Sequence, residues 1–395
     1  MRRAKILAVL CVFVLVASAC GGDDDEPAEG GGVTEVTVGA LFDLTGATSD
    51  VGVPYADGVK DYVEYANETG VAGDLRINLV SEDYGYDVAV AEQVYSRLTT
   101  EGAVAIQGWG TGDTEALRGK ITADKLPFMS ASYAETLTDP EETPYNFVVG
   151  TSYSDQMRIA LQWIAGEAGG HAEVAVFHHD SPFGEAPLAD GESYIQEQGY
   201  DIGYESYAMP AEATDYVSEL SRAKDQGAEY IIVQNVSTPA AQLAKDVDQQ
   251  GLDMQIVCLN WCGDELFIDL AGGAAEGVIA VSPFAPVAAG APGFDEPTSA
   301  LEEKGGSLED KGLHYAQGWY TMAVMVQGLA EAADSGEEIT GETLKAALEE
   351  MEPVETGEVS APVDFASDGH KGMTASRLFQ VEGGTWASIT DFLTP

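Results

Sequence analysis

The chain has 395 residues, enough for two domains of ordinary size, and its 45% apolar and 22% charged residues are the balance of a folded globular protein. Eighteen Lys+Arg stand against 67 Asp+Glu, a formal net charge of −49. A field this negative repels phosphate backbones and anionic headgroups, which excludes nucleic acid as a partner.

In chain order, Met1 to Ala19 reads as a targeting segment. Arg2, Arg3 and Lys5 form a charged start, and Ile6 to Val16 is an apolar run too short to span a bilayer comfortably. The run ends in Leu15-Val16-Ala17-Ser18-Ala19-Cys20, which resembles a bacterial lipobox, whose cysteine is lipidated after cleavage. Cys20 is thus the expected lipid anchor, residues 1–19 the lipoprotein signal peptide, and the Gly/Asp/Glu-rich stretch 20–32 a flexible tether of roughly 15–20 Å. No other apolar run is long enough for a membrane span.

From Val33 short apolar runs alternate with segments of helical period. Strands are predicted over 35–41, 75–80, 103–107, 127–130, 173–177, 200–207, 230–234 and 255–259. Helices are predicted over 53–68, 88–100, 113–124, 154–168, 184–198, 214–226, 240–250, 313–333 and 341–350, before a β-rich C-terminus. Strict βαβα alternation implies an α/β fold of parallel, doubly wound sheets, and the length implies two of them. In such sheets ligands bind beyond the carboxyl ends of the strands.

Several landmarks then fall in one order: Val38-Gly39-Ala40-Leu41-Phe42-Asp43-Leu44-Thr45-Gly46, Ser81-Glu82-Asp83, Gln107-Gly108-Trp109-Gly110-Thr111-Gly112, Leu126-Pro127-Phe128-Met129-Ser130-Ala131-Ser132, Phe183-Gly184 and Ala275-Glu276-Gly277-Val278. With the lipobox they make the chain, from Val33 onward, resemble the type I periplasmic binding proteins of the leucine/isoleucine/valine group, which feed ABC importers. The resemblance implies two α/β lobes joined by a three-segment hinge. Lobe 1 would be 33–151 plus 283–372, and lobe 2 would be 152–282 plus 373–395. It further implies a small-molecule ligand between the lobes, an ABC permease in the cytoplasmic membrane as partner, no cofactor, and a lipid-anchored position on the extracytoplasmic face. An extracellular sensing module coupled to a membrane kinase or receptor is the alternative that the same fold supports.

By that resemblance Thr111 is the hydroxyl residue that meets a ligand carboxylate. It also stands where a helix begins, and free N–H groups and the helix dipole favour an anion there. Ser132 and Ala134 match further contact positions, the latter without the family's hydroxyl, and Tyr133 lies between them. Phe183 matches a covering aromatic. Val236 stands where the family has another aromatic, and Asn260 where it has the acid that pairs with the ligand ammonium. Asp83, Asp264 and Glu265 are the carboxylates that could replace that acid. Trp109, Tyr133, Phe183 and Trp261 all fall at predicted strand ends, and could sandwich an apolar group or hold a cation over their faces.

Cys258 and Cys262 remain after the signal and anchor cysteines, and form a possible disulfide if the chain turns sharply between them. His178-His179-Asp180 lacks a third ligand at helical spacing, so no metal site is expected. No nucleophile elbow, Walker loop or HExxH motif is present. Ser130 and Ser132 have no His/Asp partner in sequence, so an enzyme is not expected.

Overall fold

The computed structural model describes residues 33–366 and 369–395. The signal peptide, Cys20 and the 20–32 tether lie outside the described residues.

The first sheet holds β1 (Thr34–Phe42), β2 (Leu75–Asp83), β3 (Ala105–Gly108), β4 (Phe128–Ser130) and β5 (Asn146–Val148), in the order β2-β1-β3-β4-β5. Every pairing in it is parallel. From Val38 onward β1 is buried at every position, because helices cover both faces of a parallel sheet. Its connecting helices are α1 (Ser49–Thr69), α2 (Val88–Thr100) and α3 (Thr111–Asp124). On α1 the buried set Val51, Tyr55, Val59, Tyr62, Val63 and Ala66 recurs at spacings of three and four, which lays one stripe on the core.

The second sheet holds β6 (Ala172–His179), β7 (Ile202–Met209), β8 (Tyr230–Gln234), β9 (Gln255–Cys258), β10 (Ile279–Ser282), β11 (Arg377–Glu382) and β12 (Thr385–Ser388). Their order is β12-β11-β10-β9-β8-β6-β7, parallel except where β11 pairs with β10 and β12. It is served by α4 (Tyr153–Ala168), α5 (Pro182–Glu185), α6 (Leu188–Gln198), α7 (Val217–Gln226), α8 (Ser237–Gln249) and α9 (Glu265–Ala271). Three helices follow: α10 (Asp295–Glu303), α11 (Leu308–Asp334) and α12 (Gly341–Glu350).

α11 returns to pack along α1. Gly58 and Gly318 make the approach possible: a Cβ on Gly58 would lie 2.0 Å from the Tyr315 carbonyl oxygen, and one on Gly318 would lie 2.0 Å from that of Tyr55. Regular helix in α11 begins after Gly312, whose φ of +75° breaks it, and the predicted 313–333 is that regular part. The single predicted helix 184–198 is instead two, α5 and α6, because Pro187 between them has no N–H to continue the ladder. β5, β10, α9 and α10 were not legible as separate elements.

The chain passes between the sheets three times: from β5 to α4, out of β10, and into β11. Cross-bonds tie the first and third of these passages together. Thr151 Oγ1 donates to the Ala375 carbonyl at 2.9 Å, and Ser376 Oγ donates to Thr151 Oγ1 at 3.1 Å. Lys371 Nζ donates to Glu135 Oε1 and Asp155 Oδ2, each at 2.8 Å. The fold is that of a type I periplasmic binding protein, two α/β units on a three-strand hinge.

Candidate functional site

The carboxyl ends of both sheets converge on one small cavity of about 240 Å³, the open solvent at its mouth included. The enclosed space within it is about 20 Å³, room for about one water, so the walls stand nearly closed on one another. Trp109, Gly110 and Thr111 enter it from the β3–α3 turn, Ala131 from the end of β4, and Thr48 and Val51 from the start of α1. Tyr153 opens α4, Phe183 sits in α5, Val236 precedes α8 and Trp261 follows β9, so the second sheet supplies the facing wall.

The aromatic side chains are fixed by their polar edges. Trp109 Nε1 donates to Thr48 Oγ1 at 2.9 Å, and that hydroxyl donates to Asp43 Oδ2 at 2.8 Å. Trp261 Nε1 donates to the Tyr153 hydroxyl at 2.9 Å. With both indole N–H groups bound to protein, the rings meet the cavity through carbon. Trp109 and Trp261 stand edge to face at 5.1 Å and 61°, and Tyr153 and Phe183 do the same at 5.4 Å and 62°.

At the start of α3 the N-cap is Gly110, which offers no side chain to the free N–H groups of the first turn. Thr111, fully buried, shares a 2.6 Å hydrogen bond with Ser132 Oγ, and Thr114 Oγ1 shares one of 2.9 Å with Ser130 Oγ. Asp113 accepts from the Tyr84 hydroxyl at 2.8 Å, and its other oxygen has no partner. Burial outweighs these bonds and pushes its pKa up to about 7.

Of the residues singled out in sequence, Trp109, Thr111, Phe183, Val236 and Trp261 line the cavity together. Ser132, Tyr133, Ala134 and Asn260 are buried one layer behind. Ser132 acts on Thr111, and Tyr133 stacks on Trp261 at 5.7 Å. Ala134 opens the short turn Glu135–Leu137. Asn260 donates its backbone N–H to Gln156 Oε1 at 3.0 Å and accepts from Gln317 Nε2 at 2.6 Å.

The three carboxylates that could replace the family acid are engaged elsewhere. Asp83 takes the backbone N–H of Leu44 and Gly85 and the Thr45 hydroxyl. Asp264 caps α9 at Phe267, accepts from Ser237 Oγ at 2.6 Å and lies 3.2 Å from His314 Nε2. Glu265 accepts from Val287 and Leu313 N–H groups.

One expectation is corrected. Cys258 and Cys262 are free, buried thiols rather than a disulfide. The 3-10 turn Asn260–Cys262 directs Cys262 Sγ to the Val233 and Leu259 carbonyls, at 3.5 and 3.6 Å. Burial also raises the Cys258 thiol well above its ordinary pKa.

Thr48, Val51, Tyr86 and Tyr153 escaped the sequence reading and complete the lining together with Gly110 and Ala131, which lie in its landmarks. Thr48 and Tyr153 lie at helix starts next to strand ends, the one signal that could have found them. His314 stacks on Trp261 at 5.0 Å, while Tyr315 turns away to Asp61. Among the described residues no group of three His, Cys, Asp or Glu side chains could hold a metal, and no helix is long and apolar enough to cross a membrane.

Paired α/β units hinged around a cavity at their strand ends define a two-lobed binding protein. The sequence profile of the periplasmic binding proteins matches residues 35–385, and the chain belongs to that family. Its members capture small solutes for ABC permeases outside the cytoplasm and are binding proteins, not enzymes.

Among solved structures, a branched-chain amino acid ABC transporter protein from Thermus thermophilus with bound valine superposes with a TM-score of 0.87. It is 28% identical, with 92% of this chain and 97% of that chain covered. A fatty acid ABC transporter substrate-binding protein from Thermomonospora curvata, 20% identical, has a TM-score of 0.81 over 92% and 93% of the two chains, which bears on the fold alone. A leucine-, isoleucine-, valine-, threonine- and alanine-binding protein of Pseudomonas aeruginosa is 22% identical over 309 residues, 77% of this chain and 80% of that protein.

Proposed function

We propose that the chain is the extracytoplasmic solute-binding lipoprotein of an ABC importer. It would capture a small amino-acid-like, amide or carboxylate ligand between its lobes. The observation that carries this is the cavity itself, walled from both sheets by Trp109, Thr111, Tyr153, Phe183 and Trp261. The lobes are 33–151 plus 283–372 and 152–282 plus 373–395, turning about the three passages, the first and third of which are tied by Thr151, Lys371 and Ser376. A ligand carboxylate would lie at the uncapped start of α3, against the Thr111 hydroxyl, with Ser132 holding that hydroxyl in place. Trp109, Phe183, Val236 and Trp261 would enclose the rest of the ligand, with Tyr133, Ala134 and Asn260 shaping the walls from behind.

A thermal-shift screen of the mature chain against amino acids, amides, small carboxylates and their N-alkylated derivatives tests the reading. A true ligand at a hundredfold excess over its Kd adds about 2.7 kcal/mol of stability. It is also expected to change Trp109 or Trp261 fluorescence. A screen in which no member shifts the melting temperature contradicts the proposal. The anchor has its own test: Cys20→Ala releases the protein from the membrane fraction, whereas retention there contradicts lipidation at Cys20.

A further inference from the structure

Beside the cavity, whose enclosed space holds about one water, a groove offers about 480 Å³ on the same measure. Ser49 and Asp50 line it from the start of α1. His179, Asn235, Thr238 and Lys245 line it from the carboxyl ends of β6 and β8 and from α8. Ser49, Asp50 and Asn235 are the chain neighbours of Thr48, Val51 and Val236 in the cavity wall, so the groove is continuous with the mouth. The His179 ring makes the same connection, 5.8 Å from the ring of Phe183 and 6.0 Å from that of Tyr86.

Two groups in this groove lack the partners that burial and charge ordinarily demand. His179 is 6% exposed, with Nδ1 2.8 Å from Ser181 Oγ and a buried Nε2 that has no partner. Burial lowers its pKa, so the imidazole is neutral at pH 7. With Ser181 Oγ donating to Nδ1, Nε2 carries the ring proton and is a spare donor. Lys245, half-buried on α8, is the only Lys or Arg among the described residues of the groove wall. Among the described residues no carboxylate pairs with it, although the chain carries 67 acidic residues against 18 basic ones. The carboxylate of the wall, Asp50, is turned to backbone: it accepts from the Val51 N–H at 3.0 Å and the Thr238 N–H at 2.9 Å. An unpaired ammonium and a spare N–H at one mouth call for an acceptor, and an anionic oxygen satisfies both. The net charge of −49 repels such an anion at long range, but salt screens that field beyond about 8 Å and leaves the contact itself.

Resting on the solute-binding reading above, we infer that the ligand is a small dicarboxylate: one carboxylate sits at the start of α3, and the other lies in the mouth groove, accepting from Lys245 Nζ and His179 Nε2. Lys245 then sets the preference for two-ended anions over monocarboxylates of the same length.

Calorimetric titration of the mature chain with succinate, glutarate, adipate and suberate tests this. Each is titrated beside the monocarboxylate of the same length: butanoate, pentanoate, hexanoate and octanoate. The series also reads the span between the two ends of the site. At the best length the diacid is expected to bind about fivefold or more tightly than its monocarboxylate, the upper range for a partly exposed ion pair. Lys245→Gln is expected to bring that ratio to about one, and Lys245→Arg to keep most of it. His179→Phe, which keeps a ring packed on Phe183 and Tyr86, is expected to reduce the ratio without abolishing it. Equal binding of diacid and monocarboxylate at every length, or an advantage that survives Lys245→Gln, overturns the inference and leaves the interlobe reading standing. Absence of binding by every member also overturns it, whereas the interlobe reading falls only if the broad screen is empty too.

Discussion

Asp113 is folded under the first turn of α3, where it accepts from Tyr84 and is only 2% exposed. Its pKa in the folded chain is pushed up to about 7 from an ordinary 3.8, chiefly by burial. Below pH 3.8 both folded and unfolded chains are protonated and Asp113 is neutral to stability. Between 3.8 and about 7 the unfolded chain ionises first, so stability falls as pH rises through that window, and the loss is complete above about 7. Asp113→Asn removes this penalty while keeping an oxygen for Tyr84. The variant is expected to melt higher than the parent at pH 8, by up to about 4 kcal/mol, and to match it near pH 3.5. Parallel melting curves at the two pH values decide this, and equal differences at both contradict it. Thr111→Val keeps the shape and removes the hydroxyl shared with Ser132. Ligand affinity is expected to fall by about 1–3 kcal/mol, with the fold intact by circular dichroism. At this scale the sequence was informative where chemistry is local: Thr111 could be read from a Gly-Thr-Gly turn before a helix. Asp113's burial and Tyr153's place in the wall depend on what packs above them, which no local pattern records.

Among elements, α1 and α11 meet with almost no side chain between them at Gly58 and Gly318. Gly318→Ala would drive a methyl into the Tyr55 carbonyl, so it is expected to cost more than the ~1–3 kcal/mol of ordinary overpacking; a melting temperature equal to the parent's contradicts this contact. The same helix carries His314 and Gln317 toward Asp264 and Asn260 of the other lobe. Burial lowers the pKa of His314, but the hydrogen bond and charge of Asp264, with Gln317 and Glu265, outweigh it and raise the value. Asp50, on α1, also faces this histidine. The stabilisation from the ion pair is therefore fully present below the ordinary histidine value of 6.5, and is lost as pH rises through the raised one. His314→Gln is expected to flatten the dependence of ligand affinity on pH above 6.5, and an unchanged pH profile contradicts a part for this pair in closure. Periodicity revealed most helices and strands because α1, α2 and α8 each show a buried face to one sheet. It did not reveal β5, three residues at a sheet edge, or α9, a seven-residue helix held by its Asp264 cap. Such short elements owe their form to pairing and capping rather than to period.

At the scale of the whole molecule, the alternating pattern implied two parallel sheets, and the landmarks between Val38 and Val278 placed strand ends around one gap. The closed arrangement was not legible, because it depends on contacts between residues far apart in sequence. Asp50 at the start of α1 accepts from the Thr238 backbone N–H at the start of α8, across the mouth, at 2.9 Å. Lys371, half a molecule away in sequence from Glu135 and Asp155, ties the hinge. Opening the lobes must separate the first pair while the second stays in place. Binding energy is then spent on holding the closed form, which is how occupancy becomes visible to a permease.

Small-angle scattering of the mature chain tests that claim most directly, recorded without solute and then with whichever solute gives the largest thermal shift. The account requires the bound protein to have the smaller radius of gyration and to fit the closed arrangement in which Asp50 meets Thr238. Identical curves with and without a saturating solute would contradict it.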